Sequence, residues 1–460
     1  MPYRVIIPVA LALGLQVLSA HAAQPLSSGG HRELLPPGTH LGDDAYEVPR
    51  EVFRSEAAGG HKSYLVILGD VAFSSPRLLG AAARQAGVSC ATCHINGASN
   101  PRLYIPGLST RAGTFDTTSH FFNPQADDGV LNPLTIPSLR GAHLLAPYGH
   151  DGRTPSLREF VRNVIVNEFA GAEPSAAFLD ALVMYIEDID FVPNPRLLPT
   201  GRLAPGNSRA AYRGERLFQR PFAHDPTLSC ASCHPPADAF SDHRQHDVGS
   251  GGLYKAPTLR NADFNAPYFH DGRFDSYAQV IAHFDRVFAL HLSAREQQDL
   301  LAYLEAVGDG TEALQADALA TRAQELDDFA RALQTALAQQ DADAARLVLD
   351  TLDRELRELT ERFPDRKDPT VSGGEPQRAQ ARALLKQQVL TLRAVERAVG
   401  ERRFEAATEG LRDYRRCWPA SMNAMEAAEP WSLFDRGLHT AHYAALQRAD
   451  AAGREQNAVR

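Results

Sequence analysis

Apolar residues in the last third of the chain recur at helical spacing. Beyond residue 311, three stretches repeat them every three or four positions, at 326–337, 349–359 and 385–399. This spacing gathers the apolar side chains on one face of a helix. The segment 364–376, which contains proline and glycine, separates the second stretch from the third, as a loop would. We therefore predict an α-helical bundle or hairpin domain over residues 311–460.

The preceding part of the chain is also predicted to be helical. Two amphipathic stretches, at 156–169 and 276–288, match each other in register, and each is followed by a further helical run, at 178–186 and 300–304. The alternation of apolar and polar residues that marks half-buried strands is almost missing. The pattern predicts a mainly α fold with short loops.

A repeated sequence block shows that this helical region is duplicated. Pro-Ser-Leu-Arg followed by Ala-Pro-Tyr-Gly-His-Asp-Gly-Arg ends at Arg153, and its counterpart ends at Arg273 with the same internal spacing. Residues 192–206, rich in proline and glycine, lie between the two copies and are predicted to be a linker. We therefore predict two tandem domains, at residues 45–192 and 207–308.

The amino terminus has the features of a secretory signal. Arg4 precedes a short apolar run, and a small-x-small pattern ends at Ala22, as at a signal peptidase site. The run is short for a membrane span, which needs about 20 apolar residues. We predict cleavage of residues 1–22 and export of a chain without a membrane span, with a bacterial periplasm as the expected compartment.

The overall composition is that of an ordinary globular protein. The 460 residues carry a formal net charge of −9. This acidic balance argues against nucleic acid as a partner and is compatible with a basic redox protein.

Four of the five cysteines stand in two copies of one pentapeptide, Cys-Ala-Thr-Cys-His and Cys-Ala-Ser-Cys-His. Paired cysteines in an exported protein can form disulfides, a redox dithiol or a zinc site. The histidine after each pair favours a fourth reading, because CxxCH is the attachment site of c-type heme. We predict two covalently bound hemes, held by Cys90, Cys93, His94, Cys230, Cys233 and His234, with each histidine as an axial iron ligand.

Tandem CxxCH motifs, each followed by PxLR and APYxHDGR, resemble the di-heme cytochrome c peroxidase and MauG superfamily. The resemblance covers residues 45–308 and leaves the C-terminal helices as an added domain. It implies two tandem cytochrome c-type domains, each wrapped around its heme, and often a calcium ion between them. It also implies that the first heme reacts with hydrogen peroxide while the second stores or relays an electron supplied by a small redox protein.

The resemblance implies a displaceable distal histidine on the first heme. His120 lies in the loop before the first PxLR block, where that ligand is expected. His143 and His150 are the alternatives. The family's catalytic glutamate has no clear counterpart in this chain: Arg162 and Asn163 stand about where it is expected, which leaves Glu159 and Glu168 as the candidate substitutes.

For the second heme, the family's distal ligand comes from the helix after HDGR. His283 occupies that place, and His291 and His270 are the alternatives. The equivalent position in the first repeat is Asn163, so we expect the two hemes to be ligated differently. Arg140 and Arg260, in the PxLR blocks, are expected to pair with heme propionates because a guanidinium matches a carboxylate bidentately.

Two features depart from the classical family pattern. No methionine follows HDGR in the second repeat, so that heme is expected to have histidine on both sides and a low potential. The only tryptophans, Trp418 and Trp431, lie among the C-terminal helices. The sequence therefore predicts an enzyme of the peroxidase or MauG type. An electron carrier with two fully ligated hemes is the alternative, and a heme-based sensor is a third interpretation.

Overall fold

The computed structural model describes residues 35–41, 48–57, 59–311, 318–442 and 444–445. The predicted signal segment, residues 1–22, lies outside these ranges. Among the residues described, no helix has the length and apolar character that crossing a membrane requires.

The described chain is mainly helical, as predicted. The first repeat contains α1 (Arg54–Ala57), α2 (Tyr64–Ser74), α3 (Ala81–Ala86), α4 (Cys90–Cys93), α5 (Leu157–Asn163) and α6 (Ala176–Asp188). The second contains α7 (Arg209–Phe218), α8 (Cys230–Cys233), α9 (Tyr277–Val287) and α10 (Ala294–Gly308). Helices α11 (Leu319–Ala338), α12 (Ala342–Glu361), α13 (Glu375–Gly400) and α14 (Phe404–Ala428) follow.

The same pair of helices crosses closely in each repeat. α2 packs on α6 and α7 packs on α10. The crossing points are glycines: a Cβ atom on Gly69 would overlap the carbonyl oxygen of Ala181, and one on Gly214 would overlap that of Asp299. Because glycine has no side chain, the two helix backbones can approach each other closely at these points.

Matching aromatic side chains extend each crossing. Phe73 of α2 and Tyr185 of α6 have ring centroids 5.1 Å apart, and Phe218 of α7 and Tyr303 of α10 are 5.0 Å apart. Tyr185 and Tyr303 are 2% and 0% exposed, so both belong to the core of their repeat.

Three short antiparallel strand pairs form within the repeats, and one strand of each repeat also hydrogen-bonds to the other repeat. The antiparallel pairs are β1 (Val52–Phe53) with β4 (Ile189–Asp190), β2 (Thr114–Phe115) with β3 (Leu134–Thr135), and β5 (Gln245–His246) with β6 (Tyr254–Lys255). The N–H of Thr135 donates to the carbonyl of His270 at 2.7 Å, and the N–H of Lys255 donates to that of His150 at 2.8 Å. Each HDGR segment is thus fixed by a strand from the other repeat.

The C-terminal helices pack against the first repeat. α11 and α12 both contact α2, and their buried side chains belong to the same continuous hydrophobic cluster as those of the first repeat. A separate cluster fills the second repeat. The predicted apolar stripes lie on buried faces of α11, α12 and α13; Leu333, Leu352 and Leu385, for example, are fully buried.

Candidate heme sites

The two CxxCH segments fold into matching helical turns. The N–H of Ser89 donates to the hydroxyl of Thr92 at 3.0 Å, and that of Ser229 donates to Ser232 at 2.9 Å, so both turns have the same capping box. The histidine N–H after each turn donates to the carbonyl of the first cysteine of its motif. Residues three apart on a helical turn are neighbours, which brings the two thiols of each motif to one side.

The four motif cysteines are half-buried and form no disulfide in the described structure. Burial raises the pKa of Cys90 and Cys93 to about 12 and that of Cys230 to about 11, and it also raises the pKa of Cys233. The thiols are thus present as free, protonated groups that a heme vinyl can take up as thioethers.

The zinc alternative is disfavoured by the separation of the two cysteine pairs. Among the described side chains, the group of three that could share an ion is Cys233, Asp242 and His246, with ligand atoms within 4.8 Å of one another. It includes a single cysteine, so the two CxxC pairs do not converge on one site in this part of the chain.

The two predicted axial histidines have buried imidazoles beside a phenylalanine of the helix crossing. The His94 ring centroid lies 6.2 Å from that of Phe73, and His234 lies 6.5 Å from Phe218. Burial lowers the pKa of His94 to about 4 and also lowers that of His234. Both rings are therefore neutral near pH 7, the form in which imidazole binds iron.

The two imidazoles lie beside matching backbone carbonyls. His234 Nδ1 donates to the Phe240 carbonyl at 2.9 Å, and the Pro257 carbonyl also interacts with this ring. The carbonyls beside His94 are those of Pro137 and Ala98, although its buried Nδ1 forms no hydrogen bond of normal geometry in the described structure. A histidine that binds a metal commonly donates its other ring N–H as His234 Nδ1 does.

Arg140 is the most unusual buried charge near the first motif. It is 2% exposed, and one of its terminal nitrogens, Nη2, donates to the Pro49 carbonyl. Its Nε and Nη1 are buried without a hydrogen-bond partner in the described structure. Burial lowers the pKa of Arg140 to about 10. Two unused guanidinium N–H groups fit a carboxylate ligand such as a heme propionate.

Arg260, the counterpart of Arg140, lies in a different setting. Its guanidinium stacks over the ring of Phe191 at 4.0 Å from the centroid, and burial lowers the pKa of Arg260. The contact reaches from the second repeat to the end of the first. A propionate partner for Arg260 stays a prediction.

The structure places His120 at the surface. Its side chain is 76% exposed, and Nδ1 lies 3.6 Å from the carboxylate of Asp127. His143 is half-buried, and the alternative His150 is held by Nε2 at 2.8 Å from the Thr135 carbonyl. The assignment of His120 as a displaceable ligand stays a prediction, and the loop that carries it would have to bring the imidazole inward.

The two glutamate candidates differ in environment. Glu159 is exposed, whereas the side chain of Glu168 is 18% exposed and accepts from Arg153 at 3.3 Å. Burial raises the pKa of Glu168, although Arg153 and the hydroxyl of Thr117 oppose it. Glu168 also ends a π-helical turn, Val164–Glu168, a feature that often marks functional sites. A proton-transfer role for either glutamate stays a prediction.

His283 is buried on α9, with 4% exposure, among the rings of Phe269, Phe274 and Phe284. Its Nε2 lies 2.7 Å from the Val248 carbonyl, and Nδ1 lies 3.2 Å from the guanidinium of Arg286. Iron ligation by His283 therefore requires one of these hydrogen bonds to be exchanged. The assignment stays a prediction.

The sequence reasoning missed the residues that support the axial histidines. The signal was present as a second repeated motif, Gly-acid-x-x-Phe, at 69–73 and 214–218. The glycine of each copy permits the helix crossing, and the phenylalanine reaches the histidine. Together with the free thiols of both motifs and the unused donors of Arg140, these contacts fit two c-type hemes.

Comparison with known proteins agrees with this reading. A family model described as "Di-haem cytochrome c peroxidase" matches residues 209–353, which span the second repeat, α11 and part of α12. The resemblance to the di-heme cytochrome c peroxidase and MauG superfamily is thereby confirmed. It supports a peroxide-related di-heme oxidoreductase with c-type hemes.

Individual relatives are distant. Hydrazine synthase subunit gamma from Kuenenia stuttgartiensis is 26% identical over 58% of this chain and 83% of its own. Methylamine utilization protein MauG from Methylorubrum extorquens is 26% identical over 52% of this chain and 77% of its own. A xenon-pressurised structure of Kuenenia stuttgartiensis hydrazine synthase aligns with a TM-score of 0.40 and 23% identity, covering 66% of this chain and 100% of that chain.

Proposed function

We propose that this chain is an exported, periplasmic di-heme oxidoreductase that reduces hydrogen peroxide or uses it to oxidise another substrate. Each repeat is a cytochrome c domain, at residues 45–192 and 207–308, and residues 311–460 form a helical domain. The observation that carries the proposal is the pair of matched CxxCH turns, each with two free, half-buried thiols and a neutral imidazole beside the same helix crossing.

The hemes, when bound, supply one-electron redox chemistry and an iron centre at which peroxide can react. The chain attaches them through its four motif cysteines and orients them through His94 and His234. Arg140 binds a propionate of the first heme with its two unused N–H donors. His120 and His283 are the proposed distal ligands of the first and second hemes.

Glu168 is the proposed acid–base group of the first repeat. Burial raises the pKa of its carboxyl, and Arg153 holds it in place. A positioned carboxyl of this kind can deliver a proton to the leaving oxygen of peroxide and recover it from solvent. In the second repeat, Phe288 is the helix C-cap that corresponds to Phe169, so Val287 stands in the place of Glu168 and the two sites would not be chemically equivalent.

The proposal is tested with purified exported protein. Covalently bound heme is quantified per chain, and peroxide consumption is then followed with a reduced small redox protein as the electron donor. Two hemes and donor-dependent consumption support the proposal. Two hemes that exchange electrons with the donor but consume no peroxide would support the alternative, a periplasmic electron-transfer cytochrome with both irons fully ligated.

A further inference from the structure

A carboxyl group is buried where the C-terminal helices cover the first repeat. Asp70 follows the crossing glycine of α2 and is 7% exposed. Its carboxylate lies 3.6 Å from the ammonium of Lys62, whose side chain is 11% exposed. Lys62 in turn stands over the ring of Phe53, 3.7 Å from its centroid. The salt-bridge partner of Asp70 is therefore itself largely removed from water.

Several elements bring further charged and titratable groups to this junction. They are Arg50, Glu51 and Glu56 before and within α1, Tyr185 of α6, Arg322 and Glu325 of α11, and Arg354, Glu355 and Glu358 of α12. Arg322 links the two C-terminal helices, at 3.3 Å from Glu325 and 3.5 Å from Glu355. Carboxylates thus face Asp70 from two sides, with Arg50 and Lys62 between them.

Burial and the surrounding charges together bring the titration of Asp70 close to neutral pH. Burial raises the pKa of Asp70 to about 7, while Lys62 opposes the rise and Glu325 and Glu51 add to it. Burial would also raise the pKa of Glu325, but Arg322, Arg50 and Lys62 lower it. Glu325 is thus ionised near pH 7, when Asp70 is only partly so.

A short chain of contacts connects Asp70 with the first axial histidine. Asp70 precedes Phe73 by about one helical turn. Burial raises the pKa of Tyr185, and the charge of Asp70 raises it further. Tyr185 contacts Phe73, and the ring of Phe73 lies 6.2 Å from that of His94. The space between Asp70 and His94 is thus filled by buried aromatic rings rather than water, which weakens screening of a charge.

The second repeat has a carboxylate at the equivalent position but a different surrounding. Glu215 follows the crossing glycine of α7 and is 5% exposed. It accepts from the N–H of Leu203 at 3.2 Å and lies 3.5 Å from the guanidinium of Arg202, whose side chain is 63% exposed. The linker covers Glu215, whereas the helices α11 and α12 cover Asp70. The C-terminal helices therefore change the environment of one carboxyl and not the other.

We infer that Asp70 is a proton-binding group whose ionisation sets the reduction potential of the first heme, and that α11 and α12 create this site by burying it. The inference rests on the proposed attachment of a heme at Cys90 and Cys93. One-electron reduction of that heme by the donor protein is accompanied by uptake of a proton from solvent onto the Asp70 carboxylate. Asp70 is thus a positioning and tuning residue, not a ligand.

The sign follows from charge. An ionised Asp70 stabilises the more positive ferric state, so the midpoint potential of the first heme falls as pH rises through the titration of Asp70. Protonation at lower pH removes the negative charge and raises the potential. Reduction in turn raises the affinity of Asp70 for its proton, because the two equilibria are linked.

The test is a mediated redox titration of the holoprotein, followed by absorbance at pH values from about 5 to about 9, where buried carboxyls of this kind titrate. The wild type is expected to show a pH-dependent midpoint potential for one heme. In Asp70→Asn, that potential should stay at its high, low-pH value throughout. Glu215→Gln, the matched change in the other repeat, should leave the pH dependence of the first heme intact.

A second variant covers the case in which Asp70→Asn does not fold. Lys62→Met removes the cation beside Asp70 and should move the pH-dependent window upward. Redox-difference infrared spectra of the wild type should contain the carbonyl stretch of a protonated carboxyl, and in Lys62→Met this band should titrate at higher pH. The inference is overturned if the wild-type potentials do not vary with pH, if their variation persists in Asp70→Asn, or if Lys62→Met leaves the pH window unchanged. Absence of covalent heme from the first motif would instead overturn the proposed function.

Discussion

The two repeats share their helix crossing but differ in what surrounds it. In both, a glycine admits the partner helix, and a phenylalanine and a tyrosine connect the crossing to the motif histidine. The first repeat is covered by α11 and α12, whereas the second has its own separate core. The shared parts are those that a heme needs for attachment, and the differing parts are those that can assign different tasks to two hemes.

The opposite side of each repeat differs as well. In both repeats the arginine of HDGR pairs with the aspartate two residues before it, but Arg153 also pairs with Glu168, whereas Arg273 donates to the Ser250 carbonyl. Val287 stands in the place of Glu168 in the second repeat. The first repeat therefore has a partly buried carboxyl at a position where the second has an apolar side chain.

The most severe test removes the attachment points of one heme at a time. Cys90→Ala with Cys93→Ala should abolish covalent heme in the first repeat, and Cys230→Ala with Cys233→Ala should abolish it in the second, because each pair supplies both thioether bonds. Heme staining and intact-protein mass should show the loss of half of the bound heme in each case. Loss of all heme from either double variant would contradict independent attachment.

The next comparison concerns the carboxyl present only in the first repeat. Glu168→Gln should lower peroxide turnover by roughly 10²–10⁴-fold, the usual contribution of a general acid–base group. Glu159→Gln, on the same segment but exposed, is the matched control and should retain wild-type turnover. Steady-state kinetics across pH provide the measurement, and equal losses in both variants would show that Glu168 has no special role.

His283 tests the proposed difference in iron ligation. His283→Gly should change the low-spin absorption and paramagnetic resonance signals of one heme, since it removes a proposed axial ligand while the cysteines stay intact. Both hemes should remain covalently bound. Unchanged low-spin signals would show that His283 is only a buried histidine hydrogen-bonded to Val248 and Arg286.

The shared helix crossing should respond equally to equal changes. Gly69→Ala and Gly214→Ala each place a methyl group against a backbone carbonyl. Each should lower the free energy of unfolding by about 1–3 kcal/mol, the usual cost of overpacking. Chemical denaturation measures the loss. A cost at only one of the two glycines would break the structural equivalence of the repeats.

The smallest expected effect is a pH dependence of stability at the covered repeat. Burial raises the folded-state pKa of Asp70 from 3.8, and that of Glu355 from 4.5, to about 7. The folded chain therefore binds more protons than the unfolded chain between these values, so stability is lost as pH rises from about 4 to about 7. Thermal unfolding should show this decline, and Asp70→Asn should reduce it. A wild-type pH slope in Asp70→Asn would contradict the assignment.

Local sequence patterns predicted the elements well. The apolar stripes of the C-terminal third and the paired helices after HDGR all form as helices. These predictions succeeded because spacing at three or four positions is a local signal. The repeated Gly-acid-x-x-Phe motif was an equally readable signal that pointed to the helix crossing, but it was not used.

Features that depend on distant contacts could not be predicted. Asp70 is a lone acid in an apolar helix, and nothing nearby in sequence indicates that α11 and α12 bury it. A backbone hydrogen bond joins Thr135 of the first repeat to His270 of the second, and no local pattern encodes this contact. The exposure of His120 likewise follows from the path of a long loop, in which a polar composition fits both a surface and a ligand role.

The central claim is that two attached hemes differ, with one iron that can open to a small ligand. The most direct measurement is a carbon monoxide titration of the fully reduced protein, followed in the Soret region. The account predicts that about half of the bound heme takes up carbon monoxide. Binding at neither heme would show two closed irons and favour the electron carrier, and binding at both would contradict the proposed difference between the repeats.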